Sequence, residues 1–216
     1  MLEFIERPCA EEPRALMVWL HGLGADAYDL EPIAEMLGIS GIHHVLPHAP
    51  VRPVTLNGGM AMRAWYDIAN TDLRWREDRP GLVESSAQVC DLISQLNHAQ
   101  NLPVLLAGFS QGAVISLMSA ATGIPKLAGV AALSGYVPQS MPPAPNGLVG
   151  LPIFMAHGHQ DDIIPFALAQ QSRERLIELG ADLTWHAYDM PHSICQEEIF
   201  ALANWVELVL GGQVRP

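Results

Sequence analysis

The sequence predicts an α/β protein: a mainly parallel, twisted sheet with helices on both faces. Two observations carry that expectation. Six short apolar runs recur along the chain without clean two-residue alternation, as strands buried on both faces do. Helical patterns separate them, and strand–helix alternation of this kind builds parallel sheets.

The first run, ALMVWL (15–20), is followed by a helical pattern at 29–37 and a second run, HHVLP (43–47). Residues 49–80 carry prolines, glycines and aromatics without sustained periodicity, and a stretch of this length reads as a substrate-facing cover. The clearest helix, 81–99, repeats Leu82, Ala87, Val89, Leu92, Ile93 and Leu96 at helical spacing, with Glu84, Gln88, Asp91 and Gln95 between them. The runs VLLAG (104–108), LAGVAALSG (127–135), PIFMAHG (152–158) and LTWHAYD (183–189) complete the strands. Helices are expected at 111–122, 166–179 and 193–210, the second stopped by Gly180.

Composition narrows the function. A chain of 216 residues, 50% hydrophobic and 16% charged, suits a single domain spanning 1–216. Its formal charge of −12 argues against nucleic acid and anionic membranes as partners. Cys9, Cys90 and Cys195 are too few and too scattered for a disulfide framework or a zinc site. The acidic N-terminus does not read as a signal peptide, and no apolar run is long enough to span a membrane. The expected location is cytoplasmic, with no integral membrane association.

The chemistry centres on GFSQG (108–112), which places Ser110 between a buried strand and a helix rich in small residues. Such an elbow needs little bulk beside it, which Gly108 and Gly112 provide, and holds the hydroxyl at the strand's end. A serine needs a histidine to take its proton and a carboxylate to orient that histidine. In this arrangement acid and base follow the serine in that order, each after a later strand. Asp161 in HGHQDDIIP and His192 in DMPHSICQ satisfy both conditions. Asp162 is the competing acid, since neighbouring side chains on a loop point apart and only one can face His192. Asp189 is a weaker competitor, and Ser134 in ALSGY lacks the second glycine. The oxyanion needs two backbone donors: Gln111 N–H after the nucleophile, and Leu23 N–H in the WLHGLGAD loop. His21 reads as a holder of that loop, and the remaining histidines do not form a metal-ligand set.

Together LHGLGADAYD, APVRPVTLNGGMAMRAWYD, AGFSQGAV, LAGVAALSGY, HGHQDDIIP and MPHSICQEE resemble the phospholipase/carboxylesterase family, over about Trp19 to Trp205. The resemblance implies an α/β-hydrolase fold without a large cap domain. It also implies hydrolysis of short- to medium-chain carboxylic esters and acyl thioesters, with no cofactor. It matches Ser110, Asp161 and His192 to the triad and Leu23 and Gln111 to the oxyanion donors. It matches the TLNGGMAMRAWYD segment to the loop shaping the acyl pocket, so Leu56, Met60 and Trp65 are expected to line it. His159 departs from the family's usual acid loop, and IANTDLRWREDRPG is this chain's own. A lysophospholipase, acyltransferase or perhydrolase would share these motifs. A binding module that had lost catalysis would lack one of them. Whether two copies pair through the apolar 56–65 stretch as a homodimer stays open.

Overall fold

The computed structural model describes residues 1–73, 76–141 and 148–211. In chain order its strands are β1 (Phe4–Arg7), β2 (Ala15–Leu20), β3 (Ile42–Pro47), β4 (Val51–Val54), β5 (Met60–Arg63), β6 (Val104–Phe109), β7 (Leu127–Leu133), β8 (Pro152–Gly158) and β9 (Asp182–Tyr188). The helices are α1 (Ala27–Met36), α2 (Arg79–Asn97), α3 (Gln111–Thr122), α4 (Phe166–Glu178) and α5 (Gln196–Val209).

The main sheet runs β1-β3-β2-β6-β7-β8-β9. Its pairings are parallel except β1 with β3. β2 explains why the sequence lacked alternation. Leu16, Val18 and Leu20 enter a core shared with α2, α3 and α4, while Ala15, Met17 and Trp19 enter a second core under α1 and α5. Both faces of the strand are therefore apolar. Among the described residues, no large cap covers the sheet.

The helices follow local signals. Asp26 caps α1 by accepting from Tyr28 N–H at 2.9 Å. Asp78 caps α2 by accepting from Gly81 N–H at 3.0 Å, with Pro80 in the first turn. α3 is buried from Gln111 to Ala120, wedged between the sheet and α2, which accounts for its small residues.

Three features depart from the sequence expectation. β1 is a short antiparallel edge strand carrying Glu6 and Arg7, whose charges hid it. Residues 49–80 contain a two-stranded antiparallel ribbon, β4–β5, turned by Thr55–Asn57 and by Gly58 and Gly59 at φ 68° and 79°. Arg74 and Trp75, within the proposed cover, lie outside the described residues. The strand expected to reach 135 stops at Leu133, where Ser134 turns the chain at φ 48°.

Candidate active site

The carboxyl ends of β2, β6, β8 and β9 converge, and each contributes one part. Ser110 follows β6 at φ 56° and ψ −118°, a backbone region that L-residues rarely adopt. Its N–H donates to Leu133 O at 2.9 Å, and Ala113 N–H donates to its carbonyl at 3.0 Å. The flanking glycines are sterically required. A Cβ on Gly108 would run into the Gly112 backbone, and one on Gly112 into the Leu20 carbonyl. The strained turn exists because helix and strand backbones touch.

His192, in the loop after β9, reaches Ser110 with Nε2 at 2.8 Å from Oγ. Its Nδ1 lies 2.7 Å from Asp161 Oδ2. An ionised carboxylate only accepts, so Nδ1 carries the proton, and the Nε2 lone pair receives the Ser110 hydroxyl. The ring rests against Phe109, centroids 4.8 Å apart. Asp161 Oδ1 accepts from Ile163 and Ile164 N–H at 3.0 and 2.8 Å. Burial would push the Asp161 carboxyl up. Hydrogen bonds from His157, His192 and Ile164 outweigh it and hold the group well below the usual carboxylate range. Asp162 and Asp189 are both exposed, so the carboxylate meeting His192 belongs to Asp161.

The loop after β2 is fixed by its own hydrogen bonds. His21 Nε2 accepts from Ala49 N–H at 3.0 Å and its Nδ1 donates to Gly22 O at 2.7 Å. Gly24 N–H donates to Arg63 O at 2.9 Å. Burial lowers the His21 pKa, as an imidazole required to accept an amide demands.

The phospholipase/carboxylesterase family profile matches residues 2–210. Acyl-protein thioesterase 1 of Mycosarcoma maydis is 36% identical over 226 aligned positions, covering 94% of each chain. Its Neurospora crassa namesake is 35% identical, covering 92% of this chain and 88% of that one. The chain belongs to the phospholipase/carboxylesterase family. It is a serine hydrolase with that family's fold: the crystal structure of Zea mays acyl-protein thioesterase 2 superposes with a TM-score of 0.87, at 27% identity, covering 98% of this chain and all of that one.

In this hydrolase a cavity of about 380 Å³ opens beside Ser110, walled by Leu23, Leu56, Tyr66, Ile68, Tyr136 and Ile164 among others. Leu56, Leu23 and Gln111 are among the residues that wall it together with Ser110. Met60 does not line the cavity: at the start of β5 it points to solvent, 65% exposed. Trp65 does not line it either. Its indole is drawn into the core, where Nε1 donates to His21 O at 2.9 Å, and the side chain is fully buried. A larger cleft of about 440 Å³, between the N-terminus, β4 and α2, is lined by none of Ser110, Asp161 and His192.

Several side-chain partners, as distinct from the residues themselves, escaped the sequence reading. The Gln111 side chain clips the segment after β5 to the elbow: Oε1 accepts from Trp65 N–H and Nε2 donates to Tyr66 O, each at 2.7 Å. The Ser85 hydroxyl donates to Trp65 O from α2. Tyr66 and Tyr136 pair through their hydroxyls at 3.1 Å in the cavity wall. Ile163 and Ile164 supply apolar lining two and three residues after Asp161, and the run IIP in the sequence was the available signal. Ser134 Oγ donates to Ser193 O at 3.4 Å, which gives that hydroxyl a role in holding the His192 loop. Among the described residues, no cluster of three or more His, Cys, Asp or Glu is gathered to hold a metal, and no helix is long and apolar enough to cross a membrane.

Proposed function

We propose that the chain, as one catalytic domain spanning 1–216, hydrolyses short- to medium-chain carboxylic esters and acyl thioesters through Ser110, His192 and Asp161. The observation carrying this reading is the unbroken hydrogen-bond relay from Ser110 Oγ through His192 to Asp161, at 2.8 and 2.7 Å, beside an apolar cavity. Ser110 Oγ attacks the acyl carbonyl as His192 Nε2 takes its proton. Asp161 keeps Nδ1 protonated and stabilises the imidazolium. The carbonyl oxygen, now an anion, is received by the N–H groups of Leu23 and Gln111, each contributing about 3 kcal/mol to the transition state. The α3 N-terminus adds its positive dipole end. His192 gives the proton to the departing alkoxide or thiolate, leaving an acyl-enzyme. It then takes a proton from a water that attacks the acyl carbonyl, and returns it to Ser110 Oγ as the acyl–Oγ bond breaks and the acid leaves.

The cavity, about 380 Å³, falls near the small end of the roughly 300–1,000 Å³ range of small-molecule sites, which favours short to medium acyl chains. The relatives' name, acyl-protein thioesterase, supports thioesters as substrates. Three unpaired thiols support a reducing, cytoplasmic setting.

The test is hydrolysis of p-nitrophenyl esters from acetyl to palmitoyl and of matching acyl thioesters, wild type beside Ser110→Ala. Activity peaking at short to middle chains and lost in the variant is expected. Undiminished turnover by Ser110→Ala would end the proposal.

A further inference from the structure

β8, the strand leading to the Asp161 turn, carries as its penultimate residue a second histidine whose ring reaches the same carboxylate. His157 is fully buried. Its Nε2 lies 3.1 Å from Asp161 Oδ2 and 2.8 Å from the Ile164 carbonyl oxygen. Both neighbours are acceptors, so Nε2 carries the proton and its N–H is shared between them. The opposite ring nitrogen, Nδ1, is buried without a hydrogen-bond partner among the described residues. A bare lone pair is tolerated there better than an unanswered N–H, which fixes the same tautomer independently.

We infer that His157 is a positioning residue for the triad acid, its Nε2–H forked between Asp161 Oδ2 and Ile164 O so that the carboxylate stays turned toward His192. This rests on the triad reading above. Two backbone amides hold Asp161 Oδ1, and two imidazoles meet at Oδ2. The amides belong to the same turn as Asp161 and move with it. The His157 ring is anchored in the sheet, packed near Phe166, so it references the carboxylate to the rigid core. Its bond is also the largest of the contributions opposing burial at the Asp161 carboxyl. Because the fork includes Ile164 O, and Ile164 walls the acyl cavity, one ring secures both the acid and the adjoining wall.

The experiment compares His157→Leu and His157→Gln in the wild type and in an Asp161→Ala background, with p-nitrophenyl butyrate and with a fluorophosphonate that labels Ser110. The Gln side-chain amide can present an N–H near the place of the imidazole Nε2. His157→Leu is expected to lower kcat about 10- to 100-fold and to slow labelling in step. KM should stay within about twofold, since the acyl-binding contacts remain. His157→Gln should recover most of the loss. In the Asp161→Ala enzyme, His157→Leu should cost nothing further, because the group it acts through is gone.

Wild-type kcat in His157→Leu, or an equal loss in both backgrounds, overturns the proposal. If His157→Leu does not unfold cooperatively, His157→Gln decides alone. Retained kcat supports the fork, and a Gln variant that is folded but slow refutes it. Full activity of Ser110→Ala and Asp161→Ala would instead remove the triad reading, a failure distinct from this one.

Discussion

Glu198 offers the sharpest test of how this fold handles a buried charge. It sits at the third position of α5, just past the His192 loop, with its side chain fully buried and neither carboxyl oxygen hydrogen-bonded among the described residues. Burial pushes its carboxyl up to about 8 from 4.5, against a smaller opposing pull from the nearby Cys195 backbone. Tyr188, whose hydroxyl is also buried and unpartnered, is raised by burial and then by the charge of Glu198. Between these two pH values the folded chain keeps a proton that the unfolded chain has released. The stabilisation is full below pH 4.5 and is lost as pH rises toward 8. Each pH unit in that window is worth about 1.4 kcal/mol, so the whole effect is about 5 kcal/mol, of which about 3 is gone by pH 7. Glu198→Gln keeps the shape and cannot ionise. Urea unfolding of both proteins, followed by tryptophan fluorescence from about pH 5 to about pH 9, reads the difference directly. The variant should gain on the wild type by several kcal/mol across that range. Two parallel stability curves would refute the reasoning, since they would mean that the carboxyl titrates alike in the folded and unfolded chains.

Other consequences are as specific. Gln111→Ala leaves the buried Trp65 N–H and Tyr66 carbonyl unpaired, costing about 2–4 kcal/mol; thermal unfolding should show it, and an unchanged Tm would count against the clip. Gly112→Ala drives a methyl into the Leu20 carbonyl, so the elbow must shift, and fluorophosphonate labelling of Ser110 should slow at least about tenfold. Labelling at the wild-type rate would mean the turn tolerates bulk. On the acid side, His48 Nδ1 accepts from Ala27 N–H at 3.2 Å, and burial first, then Arg63, lowers its pKa from 6.5. Stability should fall as pH drops below 6.5, where the unfolded chain gains the proton first. His48→Asn, whose oxygen can accept from the same amide, should flatten that fall; an unchanged slope in the variant would reject it.

The parallel strands were legible because burial on both faces leaves continuous apolar runs, as in β2 and β6. The short strands were not. β1, β4 and β5 have four residues each and carry Glu6, Arg7, Arg52 and Arg63, so neither length nor hydrophobicity marks them. The cavity was only half legible, because a loop's sequence does not say which side faces inward. Leu56 and Met60 look equivalent on the page. Leu56 N–H donates to Ile68 O at 2.8 Å, which ties it to the cavity wall, while Met60 stands exposed at the ribbon's end.

What the sequence determined by itself is local: the periodicities of strand and helix, the glycines an elbow requires, and the chain order of a serine, an acid and a histidine. The first two are short-range steric constraints written in neighbouring residues, and the third is an order along the chain that needs no contact to be read. What only the tertiary structure decided is direction across long separations. Asp161 and Asp162 are adjacent and chemically identical. Two turn amides on Oδ1 and two imidazoles on Oδ2, one from β8 and one from beyond β9, meet Asp161, while Asp162 lies exposed. Trp65 reads as a pocket aromatic until the His21 carbonyl, 44 residues away, claims its indole N–H. Such choices depend on which groups arrive from distant strands, and a linear pattern does not carry that information.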